Sequence, residues 1–104
     1  MTLQEFRTEL EKTKLPVAYR AFPDSEHVQM PFIVYCESNT NNMAADDTVF
    51  KEYKRMQVDL FTSEKDEASE NKVKAVLDSL GFYNSTETYE EGQYFYRITY
   101  EIEI

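Results

Sequence analysis

His27 is the only histidine in the chain and Cys36 the only cysteine, so any nucleophile–base pair built on a thiol would have to unite them. Their settings argue against that. His27 follows Asp24-Ser25-Glu26, a turn composition in which nothing positions an imidazole for proton transfer. Cys36 ends the apolar run Phe32-Ile33-Val34-Tyr35, the setting of a buried strand thiol and not of an activated thiolate. One histidine and one cysteine also exclude a closed Cys/His zinc site within one chain.

The carboxylates are more numerous but no better arranged. Asp46-Asp47, close to Asn39, Asn41 and Asn42, has the composition of a calcium loop without its glycine or its spaced acids. Glu90-Glu91 fits a hairpin tip, and Glu101 with Glu103 fits the solvated face of a strand. With only Gly81 and Gly92, no glycine-rich phosphate loop can form. Eight tyrosines and seven phenylalanines could stack nucleobases, but basic residues are not interleaved with them. The expectation is a protein that is not an enzyme, with no catalytic residue, no cofactor and no metal.

What remains is surface for interaction. Asn39–Thr48 is the longest polar segment and lacks glycine, and it carries Met43 among asparagines and aspartates. Long loops of this kind tend to be functional or mobile. Asn39, Asn41, Asn42, Met43, Asp46 and Asp47 are therefore the candidate interface residues. Two readings stand side by side: an arm that reaches a neighbouring subunit, and a plain loop.

The net charge of −9 is uneven, with −6 in residues 64–104 and −3 in residues 1–63. Such a surface repels a phosphate backbone, which needs clustered Lys and Arg. It aids solubility, and in a protein that lets DNA pass it would also prevent sticking. The opening Met1-Thr2-Leu3-Gln4-Glu5-Phe6 is no signal peptide, and no apolar run approaches the ~20 residues of a membrane span. A cytosolic protein, or part of an assembly built in the cytosol, is expected.

The elements that must carry these residues are readable from periodicity. The 104 residues make one domain with one core. Thr2 and Glu5 have capping-box spacing, and Leu3, Phe6 and Leu10 recur helically, which predicts a helix over 2–14 stopped by Pro16. A short strand over Pro16–Phe22, a turn at Pro23-Asp24-Ser25-Glu26 and a central strand over Phe32–Glu37 follow. The asparagine run is read as breaking that strand, and Phe50–Ser63 as a long strand. A second helix is expected over 64–80, capped by Thr62 or Ser63 and ended at Gly81 as a left-handed C′ residue.

The chain closes with its strongest pattern. Tyr94, Tyr96, Ile98, Tyr100, Ile102 and Ile104 alternate with mostly polar residues, a strand buried on one face. Paired with Phe82–Tyr89 it makes a hairpin, preferred with a two-residue Glu91-Gly92 turn over a three-residue bulged one. The predicted fold is α+β: a two-layer sandwich of about five antiparallel strands with two helices on one face, in the order α-β-β-β-α-β-β.

Three segments carry a resemblance: Leu15-Pro16-Val17-Ala18-Tyr19-Arg20-Ala21-Phe22-Pro23, Pro31-Phe32-Ile33-Val34-Tyr35 and Tyr96-Arg97-Ile98-Thr99-Tyr100-Glu101-Ile102. With the N-terminal helix and the Asn-rich segment, they resemble tail-terminator proteins, also called tail-completion or head–tail joining proteins, of siphophages and prophages of Gram-positive bacteria. The resemblance spans most of the chain and rests on the order of apolar and proline positions. It implies a structural subunit that forms a ring with copies of itself, commonly a hexamer, at the head-proximal end of the tail tube. Its partners would be the tail-tube protein and head–tail connector proteins. DNA would pass through the ring without specific binding, no membrane would be involved, and the protein would reside in the virion tail after assembly in the host cytoplasm. The alternative from a different class is a small acidic module, an inhibitor or DNA mimic, that binds a basic partner.

Overall fold

The computed structural model describes residues 1–23, 27–45 and 49–104, with residues 39–45 and 49–53 described by backbone alone. The elements are α1 (Leu3–Glu11), β1 (Val17–Tyr19), β2 (Phe32–Ala45), β3 (Val49–Thr62), α2 (Glu67–Asp78), β4 (Tyr83–Glu90) and β5 (Phe95–Glu103). The strands form one sheet in the order β1-β2-β3-β5-β4. The α+β order is the predicted one. Among the described residues no helix is long and apolar enough to cross a membrane.

Alternation along the strands decides the two faces. Ile33, Tyr35, Met56, Val58, Leu60, Ile98, Tyr100 and Ile102 point to one side, where they meet Phe6 and Leu10 of α1 and Val73, Val76 and Leu77 of α2 in a single core. Phe6 packs edge-on against Tyr35 with ring centroids 5.9 Å apart. Each fully buried aliphatic or aromatic side chain contributes roughly 1.5–3 kcal/mol, so this layer dominates the folding energy. α1 starts as its sequence dictates, with the Thr2 hydroxyl accepting from Glu5 N–H at 3.1 Å and Glu5 accepting from Thr2 N–H at 2.9 Å.

Four expectations need correction. The sheet is mixed, because β1 pairs parallel with β2 (Val17↔Ile33, Tyr19↔Tyr35). The strand at Phe32 is not broken by the asparagines. It runs to Ala45 and pairs with β3 as far as Ala45↔Val49. The sequence irregularity is absorbed as a bulge between Glu37 and Asn39, where the Ser38 hydroxyl donates to the Arg55 carbonyl at 3.0 Å. Backbone pairing with a good β-forming partner overrides the poor strand preference of asparagine.

α2 begins later than expected, because Thr62 is buried in β3 and the cap is Asp66. Asp66 accepts from Ser69 N–H at 3.0 Å and from the Ser69 hydroxyl at 2.7 Å. The helix correspondingly stops at Asp78, leaving Gly81, at φ +151°, two residues beyond the C-cap Ser79. Finally, the β4–β5 hairpin has the register Tyr89↔Tyr96 and Glu90↔Phe95, so the turn is the four residues 91–94. Gly92 (φ +86°) and Tyr94 (φ +59°) take the left-handed positions, and Tyr94 N–H donates to the Glu90 carbonyl at 3.0 Å. The apolar faces still coincide, since the slip is an even number of residues. The turn predicted at Pro23-Asp24-Ser25-Glu26 and the residues Asp46, Asp47 and Thr48 lie outside the described residues.

Candidate interaction surfaces

His27 is exposed, Cys36 is half-buried on β2, and neither contributes to the clefts described below. Among the described residues no group of three His, Cys, Asp or Glu side chains is placed to hold a metal ion. Of the candidate interface residues, Asn39, Asn41, Asn42 and Met43 occupy β2 opposite Arg55, Tyr53, Glu52 and Lys51. Asp46 and Asp47 lie outside the described residues.

The geometry around them is that of a ribbon. β3 pairs with β5 only from Arg55 to Thr62, with the last bonds joining Lys54 and Ile104, whereas its pairing with β2 continues to Val49. Residues 39–45 and 49–53 therefore form a two-stranded extension beyond the sheet. Strands of 14 residues reach about 46 Å at ~3.3 Å per residue, which matches the 50 Å long axis of the molecule.

The face of the sheet away from the helices carries an aromatic row. Phe22 and Phe32 meet edge-on at 5.3 Å, Phe32 and Phe61 stack at 5.1 Å, and Phe61 and Phe95 lie 5.5 Å apart. All four rings are half-buried. Edge-on and offset contacts of this kind add to plain burial. Sequence alternation along Phe50–Ser63 and Tyr94–Ile104 puts Phe61 and Phe95 on this face. It missed that Phe32 and Val34 belong there too, and the signal was present: an apolar run on a strand must put alternate residues on each side.

Beside the row a cleft of about 500 Å³ is lined by Arg20, Phe22, Val28, Phe32, Asp59, Phe61 and Arg97, with Ala21 and Val34. Asp59 is 9 % exposed and accepts from Thr99 and Gln57 at 2.6 and 3.0 Å. Arg97 pairs with Glu90 at 3.2 Å, while its Nε is buried without a hydrogen-bond partner among the described residues. Tyr19 and Arg20 lie at the rim, with the guanidinium 5.6 Å from the tyrosine ring centre. A second cleft of about 360 Å³ lies at another corner of the sheet, lined by Arg55, Phe82, Asn84, Glu101, Ile102 and Glu103. There Arg55 pairs with Glu101 at 3.5 Å and Glu103 at 2.9 Å.

The remaining buried charge is structural. Glu70 of α2, 6 % exposed, pairs with Lys65, which also bonds Glu87 of β4. Those two bonds hold the Lys65 ammonium well above the ordinary lysine range. Burial raises the Tyr100 phenol in the same region, with the Glu70 charge adding to it. The cluster joins α2 to the sheet edge, since Lys65 bridges Glu70 of the helix and Glu87 of β4.

No family model matches the chain, and no curated protein matches it. Among solved structures, the chain is similar to one in the virion of a native gene transfer agent particle, with a TM-score of 0.61 and 15 % identity. The match covers 83 % of this chain and 75 % of that one. At that identity the likeness establishes a shared fold.

Proposed function

We propose that the protein is a non-enzymatic structural subunit of a phage-like virion, acting as the terminator ring that caps the tail tube at its head-proximal end and joins it to the head. The observation that carries this reading is the fold shared with a chain of a gene transfer agent virion over most of both chains. The projecting β2–β3 ribbon supports it, since a two-stranded arm with both edges unpaired among the described residues is suited to bridging copies. Self-association through unlike surfaces closes into a ring when the rotation permits. The net charge of −9 suits a lumen that DNA crosses without sticking.

The test has two parts. Electron microscopy of tails assembled without this protein should reveal overlong tube-like polymers. Solution mass, measured against concentration and with tail-tube protein added, should reveal a ring or a complex at tube ends. A chain that stays monomeric in every mixture, and tubes of normal length in its absence, would remove the reading. Binding instead to an isolated basic protein as a 1:1 complex would favour the acidic-module alternative.

A further inference from the structure

Arginine and lysine are sorted between the surfaces of this chain. On the helix-free face of the sheet, three of the four arginines (Arg20, Arg55 and Arg97) accompany four of the seven phenylalanines, the row from Phe22 to Phe95. Of the seven lysines, none shares this face within the sheet from Arg55 to Thr62 and across to β2, β5 and β4. A guanidinium is more weakly hydrated than an ammonium, so arginine and the aromatic residues gather where water is to be displaced, and lysine stays outside. Contact with solvent alone gives no reason for that division.

The charge of the face limits what can cover it. The three arginines stand with Asp59, Glu90, Glu101 and Glu103, which leaves −1 of the chain's −9 there. Arg55 is taken up by Glu101 and Glu103 and Arg97 by Glu90, so most of this charge is matched within the face. Such a surface offers no counter-charge to a strongly basic or acidic partner. It matches another near-neutral aromatic sheet face, and the same face of a second copy is one. Size permits it too. Four strands at ~4.8 Å and the eight residues Arg55–Thr62 at ~3.3 Å outline about 19 by 26 Å. That is roughly 500 Å² before side-chain relief, on the scale of the ~800 Å² each partner buries in a stable pair.

We propose that two copies pack through this face, sheet against sheet ~10 Å apart, with the Phe32–Phe61–Phe95 part of the row meeting its counterpart across a two-fold axis. The helices of both copies then lie outside and the aromatic rows inside. Both copies use the same patch, so the contact is complete at two and differs in kind from the head-to-tail contact that closes a ring. It goes beyond the ring reading and does not depend on it.

Cys36, half-buried and opposite Gln57 on the same face, reports the contact in the unaltered chain. Sedimentation of the free chain should give a dimer at micromolar concentration. Maleimide labelling of Cys36 should slow about tenfold between dilute and concentrated protein, whereas a Lys72→Cys thiol on exposed α2, in a Cys36→Ser background, labels at one rate throughout. Phe61→Asp, which sets a second carboxylate beside Asp59, should raise the dimer dissociation constant at least about tenfold. The labelling needs no substitution on the face, so it decides the matter even where Phe61→Asp fails to fold. A free chain that stays monomeric at millimolar concentration, or Cys36 labelling that ignores concentration, overturns the pair. So does a dimer that a folded Phe61→Asp leaves unchanged. Cys36 shielded only when tail-tube protein is added assigns the face to that protein and overturns the pair as well. Each of these results leaves the ring reading, judged by tail length and tube-end binding, standing.

Discussion

Thr99 donates its hydroxyl proton to Asp59 across the β3–β5 ladder, at 2.6 Å, from directly opposite positions. With Gln57 donating to the other oxygen at 3.0 Å, a nearly buried carboxylate is held by two neutral donors on the helix-free face. Thr99→Val leaves that oxygen without its partner and is expected to cost about 1–3 kcal/mol in urea unfolding. Adding Asp59→Val should then cost less than the sum of the single changes, because the orphaned charge goes with it. Strict additivity would mean the pair is not coupled.

The cap of α2 gives a pH signature. Hydrogen bonds from Ser69 hold the Asp66 carboxyl below its ordinary 3.8. A carboxylate with a lowered folded value contributes fully above its unfolded value, and the contribution fades as pH falls through the folded one. Asp66→Ala should therefore cost about 1 kcal/mol at neutral pH. The gap from wild type should narrow below about pH 4 and close as the folded carboxyl itself takes up its proton. A gap independent of pH would assign the effect to something other than the charged cap.

Tyr100 offers an opposite test. Its ring is completely buried, 5.9 Å from that of Tyr83, yet its hydroxyl has no hydrogen-bond partner among the described residues. Tyr100→Phe keeps the ring contact and removes an uncompensated polar atom, so the denaturation midpoint should rise, by about 1 kcal/mol equivalent. A loss of stability would reveal a hydrogen bond to that oxygen.

The ribbon can be cut without touching the core. Replacing residues 41–53 by Asn-Gly between the paired residues Thr40 and Lys54 closes the hairpin with a two-residue turn. Circular dichroism and the melting temperature should change little, while self-assembly weakens. An unchanged assembly would show that the extension is not an arm.

Much of this architecture was legible in the chain. Period-two alternation from Tyr94 to Ile104 and helical spacing of Leu3, Phe6 and Leu10 located the last strand and the first helix, because burial on one face leaves a direct mark on sequence. The helix start at Asp66 and the four-residue turn were not legible. Several Ser, Thr and Asp candidates compete for a cap, and turn length depends on a left-handed Tyr94 that propensity disfavours. The ribbon was hidden for a different reason: its strand character comes from its partner, which a local reading of asparagines cannot see. The cleft depended on Arg20, Ala21, Phe22 and Val28 lying beside β3, a long-range event with no local signature.

β4 leaves its outer edge open, and that edge reads Asn84-Ser85-Thr86-Glu87-Thr88, short, hydrophilic and carrying an acid. Sheet borders of this composition discourage neighbours from zipping on by main-chain pairing. Copies of the chain at high concentration are thereby steered away from endless fibrils and towards contacts made by side chains.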